Sequence, residues 1–296
     1  MTAYSCPCGN LTRSDFFTIP TYKRVWYFCK QCGSAFPDQR VTYPLAFLPL
    51  SAWKPIPRNE SSMYDYFVSE DHIRYSEASE QEFFERYIIP LRIDINNKHV
   101  LDISGGNGHF LKKFLERGNS TGMLTEINEP SLAHAKESLG LPTALFNFNE
   151  HKLDEIVAEK FDLIMPRAAI MFCANLLQFC QGMHSVLNES GVVVVNHSVI
   201  PTLGVMLRVQ FDEFSYAILR QPETVIKTFE EAGFALTARM DETDPSMYVY
   251  DNDFKKAWRL PHTYYEFKAI NQLGRYDAFS LRARDRRRST LVFTKQ

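Results

Sequence analysis

Short apolar segments alternate with helical segments along most of the chain after residue 98. The apolar segments have the length of buried strands, and the segments between them carry apolar residues at helical spacing. We predict strands at 99–103, 121–127, 160–165, 192–196, 235–240 and 289–294, and helices at 79–91, 110–118, 130–139, 176–187 and 222–232. Strands and helices that alternate in this way form a parallel sheet covered on both faces. The sequence therefore predicts an α/β fold with a doubly wound, mostly parallel sheet.

The charge balance of the chain excludes several classes of partner. The 296 residues include 33 basic and 35 acidic side chains, which gives a net charge of −2. A nearly neutral protein has no overall field that attracts nucleic acid or an anionic membrane, so we expect neither as a partner. The N-terminus lacks the basic start and apolar run of a signal peptide. We therefore expect a cytoplasmic protein without a membrane segment.

Four of the six cysteines form two close pairs near the N-terminus. The pairs are Cys6-Pro-Cys8 and Cys29-Lys-Gln-Cys32, with twenty residues between them, and residues 25–28 have the pattern of a strand. Two such pairs around a strand-sized insert can supply four thiolates to one tetrahedral zinc ion, whereas disulfides are rare in a reducing cytosol. The alternative is four unligated surface thiols. Because so small a segment needs a metal to fold, we predict a zinc-ribbon-like module over residues 1–45 with a structural zinc.

A glycine-rich turn follows the first predicted strand of the large sheet. Asp102-Ile-Ser-Gly-Gly-Asn-Gly108 continues directly into a helix, so a ligand can approach the backbone and the first helical amides. A dinucleotide fingerprint would need a glycine at Leu111, and the chain has no Gly-Lys-Ser/Thr phosphate loop. Glu126 ends the second strand, where an acid can bind both hydroxyls of a ribose. An acidic loop and a ribose-binding acid without a phosphate clamp fit a positively charged nucleoside.

The segment from Val100 to Phe110 resembles motif I of the class I S-adenosylmethionine-dependent methyltransferases. Glu126 and Phe161-Asp-Leu-Ile164 extend the resemblance, which covers about residues 60–296. It implies a Rossmann-like fold and S-adenosylmethionine as the cofactor. In this family the methionine part would be lined by Ser104, Gly105 and Gly106, with its ammonium group oriented by Asp102. The resemblance further implies that Glu126 binds the ribose, and that the adenine is held by Ile127, Asn147 and Phe148. Arg167 would face the methionine end, and Tyr75 would reach the methionine carboxylate.

The whole chain is similar to zinc-containing small-molecule methyltransferases such as the deoxysugar C-methyltransferases. This implies methyl transfer to oxygen, nitrogen or carbon of a small natural product or sugar. The implied organisation is the zinc module at 1–45, a linker with covering helices at 46–95, and the S-adenosylmethionine-binding domain at 96–296. A substrate insert at about 241–288 contributes to the acceptor pocket, to a homodimer contact or to the core. His197, just beyond the predicted strand at 192–196, is either a catalytic base or a hydrogen-bonded wall residue.

Two other functions and one charge cluster stay open at this stage. An RNA methyltransferase could use the zinc module to hold nucleic acid, although Met165-Pro-Arg-Ala differs from the Asn-Pro-Pro-Tyr type associated with base amino groups. A protein that binds the cofactor without catalysis is the other alternative. The basic cluster Arg282–Arg288 is either a solvated loop or a site for substrate phosphates.

Overall fold

The computed structural model describes residues 16–20, 25–29, 34–37, 68–167, 169–197, 220, 222–243 and 287–296. The chain divides into two compact units. The first unit consists of residues 1–44, 198–224 and 241–289, and the second consists of residues 45–197, 225–240 and 290–296. The domain limits expected at residues 45 and 95 stay predictions.

The described N-terminal residues of the first unit form a three-stranded antiparallel sheet. Its strands are β1 (Phe16–Pro20), β2 (Val25–Cys29) and β3 (Ala35–Pro37), in the order β1-β2-β3. The predicted strand at 25–28 is thus confirmed as β2. The backbone N–H of Cys29 donates to the Ser34 carbonyl at 2.9 Å, and both residues are buried. Cys29 therefore lies where β2 ends and the connection to β3 begins.

The large sheet has seven strands. They are β4 (His99–Ile103), β5 (Thr121–Glu126), β6 (Thr143–Leu145), β7 (Phe161–Pro166), β8 (Leu187–His197), β9 (Phe234–Thr243) and β10 (Arg287–Lys295). Their order is β6-β5-β4-β7-β8-β10-β9, and the pairs β4–β5, β4–β7, β5–β6 and β7–β8 are parallel. The chain runs outward from β4 to β6 and then returns to β7 on the other side of β4. Ligands of such sheets bind beyond the carboxyl ends of the strands at this reversal.

Six α-helices are described: α1 (Glu70–Phe83), α2 (His109–Gly118), α3 (Glu129–Leu139), α4 (Leu153–Ile156), α5 (Leu176–Val186) and α6 (Pro222–Glu231). A π-helical turn at Phe84–Ile88 extends α1, and Ile170–Phe172 forms a 3₁₀ turn. Helix α1 begins well before the predicted residue 79, because the Ser69 hydroxyl caps it by accepting from the His72 N–H at 3.3 Å. Within the described residues, none of the helices has the length and apolar character that crossing a bilayer requires.

Helices cover both faces of the large sheet. On β4, Val100 joins an apolar cluster with Phe110 and Phe114 of α2 and Leu132 of α3. Its neighbours Leu101 and Ile103 join the opposite cluster, which includes Phe179 and Met183 of α5 and Phe229 of α6. Successive side chains of a strand point to opposite faces, so both faces of β4 are buried. This arrangement confirms the doubly wound α/β architecture that the sequence predicts.

Helix α1 is fixed to the end of α2 by an ion pair. The buried carboxylate of Glu80 accepts hydrogen bonds from Nε and Nη2 of Arg117 at 2.8 and 2.9 Å. The guanidinium carbon of Arg117 lies 4.2 Å from the centre of the Phe84 ring. A bidentate pair with one fully buried partner holds the two helices in a defined register.

Candidate functional site

The turn after β4 exposes its backbone at a single glycine of the Gly105-Gly106 pair. A Cβ atom on Gly105 would overlap Leu124 and lie 2.6 Å from Oδ2 of Asp102, so this position admits no side chain. At Gly106, where φ is +63°, no atom of the described residues other than its chain neighbours lies within 4 Å of the position that a Cβ would take. Ser104 also has a positive φ, of +60°. The backbone of Gly106 therefore faces open space that a ligand can occupy.

Glu126 lies beside that turn, at the end of β5. Its Oε2 accepts from the Gly106 N–H at 3.0 Å, and its Oε1 accepts from the N–H groups of Ile127 and Asn128 at 2.7 and 3.2 Å. Burial raises the pKa of Glu126, although the three backbone hydrogen bonds oppose this and the charge of Asp102 adds to it. A carboxylate has about four acceptor positions. One position, on Oε2, therefore has no donor among the described residues. The sequence predicts that Glu126 contacts two ribose hydroxyls, and this position could accept from one of them.

Asn147 follows β6, the next strand outward from β5. The side chain is buried, with 2% of its residue surface exposed, and its Oδ1 accepts from the Asn149 N–H at 3.0 Å. Its Nδ2 is buried and has no hydrogen-bond partner among the described residues. A buried donor without a partner costs about 1–3 kcal/mol. A ligand acceptor at this position would remove that cost. The adjacent Phe148 packs against Phe179, with ring centres 5.5 Å apart.

On the other side of the turn, Asp102 and Arg167 form a buried ion pair. Nε of Arg167 donates to Oδ1 of Asp102 at 3.0 Å, and Nη2 donates to Oδ2 at 2.8 Å. The guanidinium carbon lies 3.3 Å from the centre of the Phe110 ring. Burial raises the pKa of Asp102, and the charge of Arg167 opposes that rise. Because the Asp102 side chain has no exposed surface, an ammonium group could contact it only if Arg167 moved.

The structure brings most of the expected cofactor residues to one edge of the sheet. Asp102, Ser104, Gly105, Gly106, Glu126, Ile127 and Arg167 meet at the ends of β4, β5 and β7, and Asn147 and Phe148 follow β6. Tyr75 lies on α1 with 58% of its surface exposed, and its proposed contact stays a prediction. His197 is the last residue of β8, and the position of its side chain is not described. Cys6, Cys8, Cys32, Arg282–Arg286 and most of the 241–288 insert lie outside the described residues.

Two asparagines that the sequence analysis did not single out support the site. The Asn128 side chain caps α3 by accepting from the Ser131 N–H at 2.8 Å, and an asparagine before Glu-Pro is a recognisable helix start. Asn149 accepts from the Ala174 N–H at 2.8 Å and donates to the Phe172 carbonyl at 3.1 Å. It thereby joins the loop after β6 to the loop after β7. No local sequence signal marks that second role, because the partners are distant in the chain.

Comparison with known proteins identifies the family. Residues 95–247, more than half of the chain, match the family model described as methyltransferase domain. The chain belongs to this methyltransferase family. The match confirms the predicted class I S-adenosylmethionine-dependent family. An uncharacterized protein of Haemophilus influenzae is 25% identical over 146 residues, which are 46% of this chain and 58% of that protein. The chain thus matches little more than half the length of this relative.

Two solved structures illustrate what this chain is similar to in fold. The cyclopropane synthase MmaA2 from Mycobacterium tuberculosis is similar with a TM-score of 0.52 and 16% identity, over 78% of this chain and 95% of that chain. Coclaurine N-methyltransferase bound to N-methylheliamine and SAH is similar with a TM-score of 0.51 and 11% identity, over 74% of this chain and 71% of that chain. At these identities the likeness shows the fold alone.

Proposed function

We propose that this protein transfers the methyl group of S-adenosylmethionine to oxygen, nitrogen or carbon of a small natural product or sugar. The observation that carries the proposal is a row of three anchors on neighbouring strands. Among the residues that the structure describes, Nδ2 of Asn147 after β6 has no partner, Oε2 of Glu126 on β5 has an unused acceptor position, and the backbone of Gly106 after β4 is uncovered. S-adenosylmethionine would present its adenine, its ribose and the amino-acid chain on the ribose to these three anchors in the same order.

Each anchor has a defined role in this proposal. Nδ2 of Asn147 donates to a ring nitrogen of adenine, beside the ring of Phe148. Oε2 of Glu126 accepts from a ribose hydroxyl, and Gly106 lets the chain on the ribose pass close to the backbone. When bound, S-adenosylmethionine supplies a sulfonium methyl group that a nucleophile can attack in line. The protein accelerates the transfer mainly by holding the two partners at reacting distance. His197 is proposed as the base where the nucleophile must lose a proton.

The proposal of a small-molecule acceptor is supported by a structural neighbour. Coclaurine N-methyltransferase was solved with N-methylheliamine, a small organic ligand. The resemblance to deoxysugar C-methyltransferases that the sequence predicts is the reason for proposing acceptors of natural-product or sugar type. No charge excess in the sequence favours nucleic acid, since the net charge is −2.

We also propose that Cys6, Cys8, Cys29 and Cys32 bind one structural zinc ion. Three of these residues lie outside the described part of the chain, so the support comes from Cys29 and its surroundings. Cys29 is buried at the end of β2, and its N–H reaches across the connection to Ser34. The pair Cys29-Lys-Gln-Cys32 thus falls in the connection of an antiparallel hairpin, which is a common place for two zinc ligands.

Calorimetry with S-adenosylhomocysteine, the demethylated cofactor, tests the cofactor site. We expect binding of this nucleoside and no binding of NAD. Glu126→Ala should weaken binding at least tenfold, because a hydrogen bond to a charged group contributes about 1.5–3 kcal/mol. Glu129→Ala is the matched control, since Glu129 is an exposed acid in the first turn of α3. Equal affinities of the two variants would contradict the proposed ribose position.

The transfer itself can be followed with S-adenosylmethionine that carries an isotope-labelled methyl group. Incubation with a panel of sugar nucleotides and aromatic natural products, followed by mass spectrometry, should show label in an acceptor. Label recovered in RNA and in none of the small molecules would contradict the proposed acceptor class. Binding without any transfer would favour the cofactor-binding role without catalysis.

A further inference from the structure

The side chain of Arg167 is held from two sides at the mouth of the proposed cofactor site. Asp102 binds it through two hydrogen bonds of 3.0 and 2.8 Å, and Phe110 lies flat beneath it at 3.3 Å. These contacts use Nε and one hydrogen of Nη2. Since a guanidinium has five N–H groups, three remain. None of the three has a partner among the described residues, and 17% of the side chain is exposed.

A guanidinium fixed in this way is suited to bind an anion. A planar fork with unused donors matches the two oxygens of a carboxylate. Fixing the side chain in advance also lowers the entropy lost when a ligand binds. Stability alone does not explain the pair, because a buried ion pair adds little compared with apolar residues of similar volume.

The place of Arg167 along the sheet indicates which part of a ligand it meets. The proposed anchors for adenine, ribose and the attached chain follow β6, β5 and β4, and Arg167 comes next, after β7. It therefore lies at the end where the amino-acid part of the cofactor and the acceptor would meet. Asp102 balances one positive charge there. A further carboxylate would be attracted by the remaining N–H groups.

We propose that Arg167 binds a carboxylate at this end of the site, and that Asp102 is a positioning residue that holds the guanidinium. The inference rests on the proposed S-adenosylmethionine site and differs from the predicted direct contact between Asp102 and the ammonium group. The carboxylate belongs either to the methionine part of the cofactor or to an acid group of the acceptor.

Calorimetry with two nucleosides separates these sources. S-adenosylhomocysteine carries the amino-acid carboxylate, and 5′-methylthioadenosine lacks the whole amino-acid part. If the carboxylate is the cofactor's, Arg167→Gln should bind S-adenosylhomocysteine at least tenfold more weakly and 5′-methylthioadenosine unchanged. If it is the acceptor's, both nucleosides should bind unchanged. Benzoate, as a carboxylate probe, should then bind the S-adenosylhomocysteine complex of the wild type and not that of the variant.

Two further variants serve as controls for Arg167→Gln. Arg167→Gln leaves the buried Asp102 without its partner, so the double variant Asp102→Asn/Arg167→Gln repeats each titration without that buried charge. Arg74→Gln, on the exposed face of α1, is the matched control and should behave as the wild type.

Two results would refute the proposed carboxylate site, and a third would refute the proposed nucleoside site. Unchanged nucleoside binding in Arg167→Gln, with no difference in benzoate binding, overturns the carboxylate site. Tighter binding of S-adenosylhomocysteine by Arg167→Gln also overturns it, because Arg167 would then compete with the ammonium group for Asp102. Failure of the wild type to bind 5′-methylthioadenosine refutes the proposed nucleoside site itself, which is a different failure.

Discussion

Two alanine substitutions can separate the cost of backbone strain from the loss of ligand space. Gly106 and Gly140 both have positive φ, of +63° and +68°, and a Cβ on either would meet no atom of the described residues within 4 Å apart from its chain neighbours. Gly140 only ends α3, whereas Gly106 lines the proposed cofactor site. Alanine in this conformation costs about 1–2 kcal/mol at either position. Both variants should therefore lose stability alike, by roughly 2–6 °C in melting temperature.

Only Gly106→Ala should also lose cofactor binding. The new methyl group would occupy the space that the ligand needs beside the turn. A loss of about 1.4 kcal/mol in binding free energy is enough to weaken binding tenfold. Thermal denaturation measures the shared strain, and calorimetry with S-adenosylhomocysteine measures the difference. We expect Gly140→Ala to bind as the wild type and Gly106→Ala to bind at least tenfold more weakly. Equal affinity of the two variants would refute the assignment of the open space at Gly106 to the cofactor.

Three further predictions follow from charges and ligands. Because burial raises the pKa of Glu126, S-adenosylhomocysteine binding should begin to weaken on acidification at a higher pH than an ordinary glutamate would titrate, and Glu126→Gln should abolish this dependence. Arg117→Met should lower the free energy of unfolding by about 2–3 kcal/mol in chemical denaturation, since it leaves Glu80 buried and charged, and Glu80→Gln in the same chain should restore part of it. Elemental analysis should find one zinc ion per chain in the wild type and none in Cys29→Ser, with S-adenosylhomocysteine binding retained in the variant; a metal-free wild type would show that the zinc proposal is wrong.

Local pattern was sufficient for most elements of the large sheet. Strand β4 has the predicted limits, and α2 and α3 begin one residue before theirs. The start of α1 was missed because residues 70–78 are mainly polar and show no apolar period, so only the Ser69 cap marks it. Strand β6 was missed because three residues are too few for a periodic signal. Periodicity detects elements that bury a face, and it fails where the element is short or solvent-exposed.

The sequence by itself determined the class of fold and the chemistry of the turn after β4. Alternating apolar segments require a covered parallel sheet, and the acid, the glycines and Glu126 then fall at the ends of neighbouring strands. Only the tertiary structure decided which groups are already occupied. In the folded chain, three backbone N–H groups donate to Glu126, and Nδ2 of Asn147 has no partner among the described residues. Arg167 binds Asp102, which lies 65 residues away in the sequence. Such pairings depend on which strands lie side by side, and strand order is a property of the folded chain that no local stretch of sequence contains.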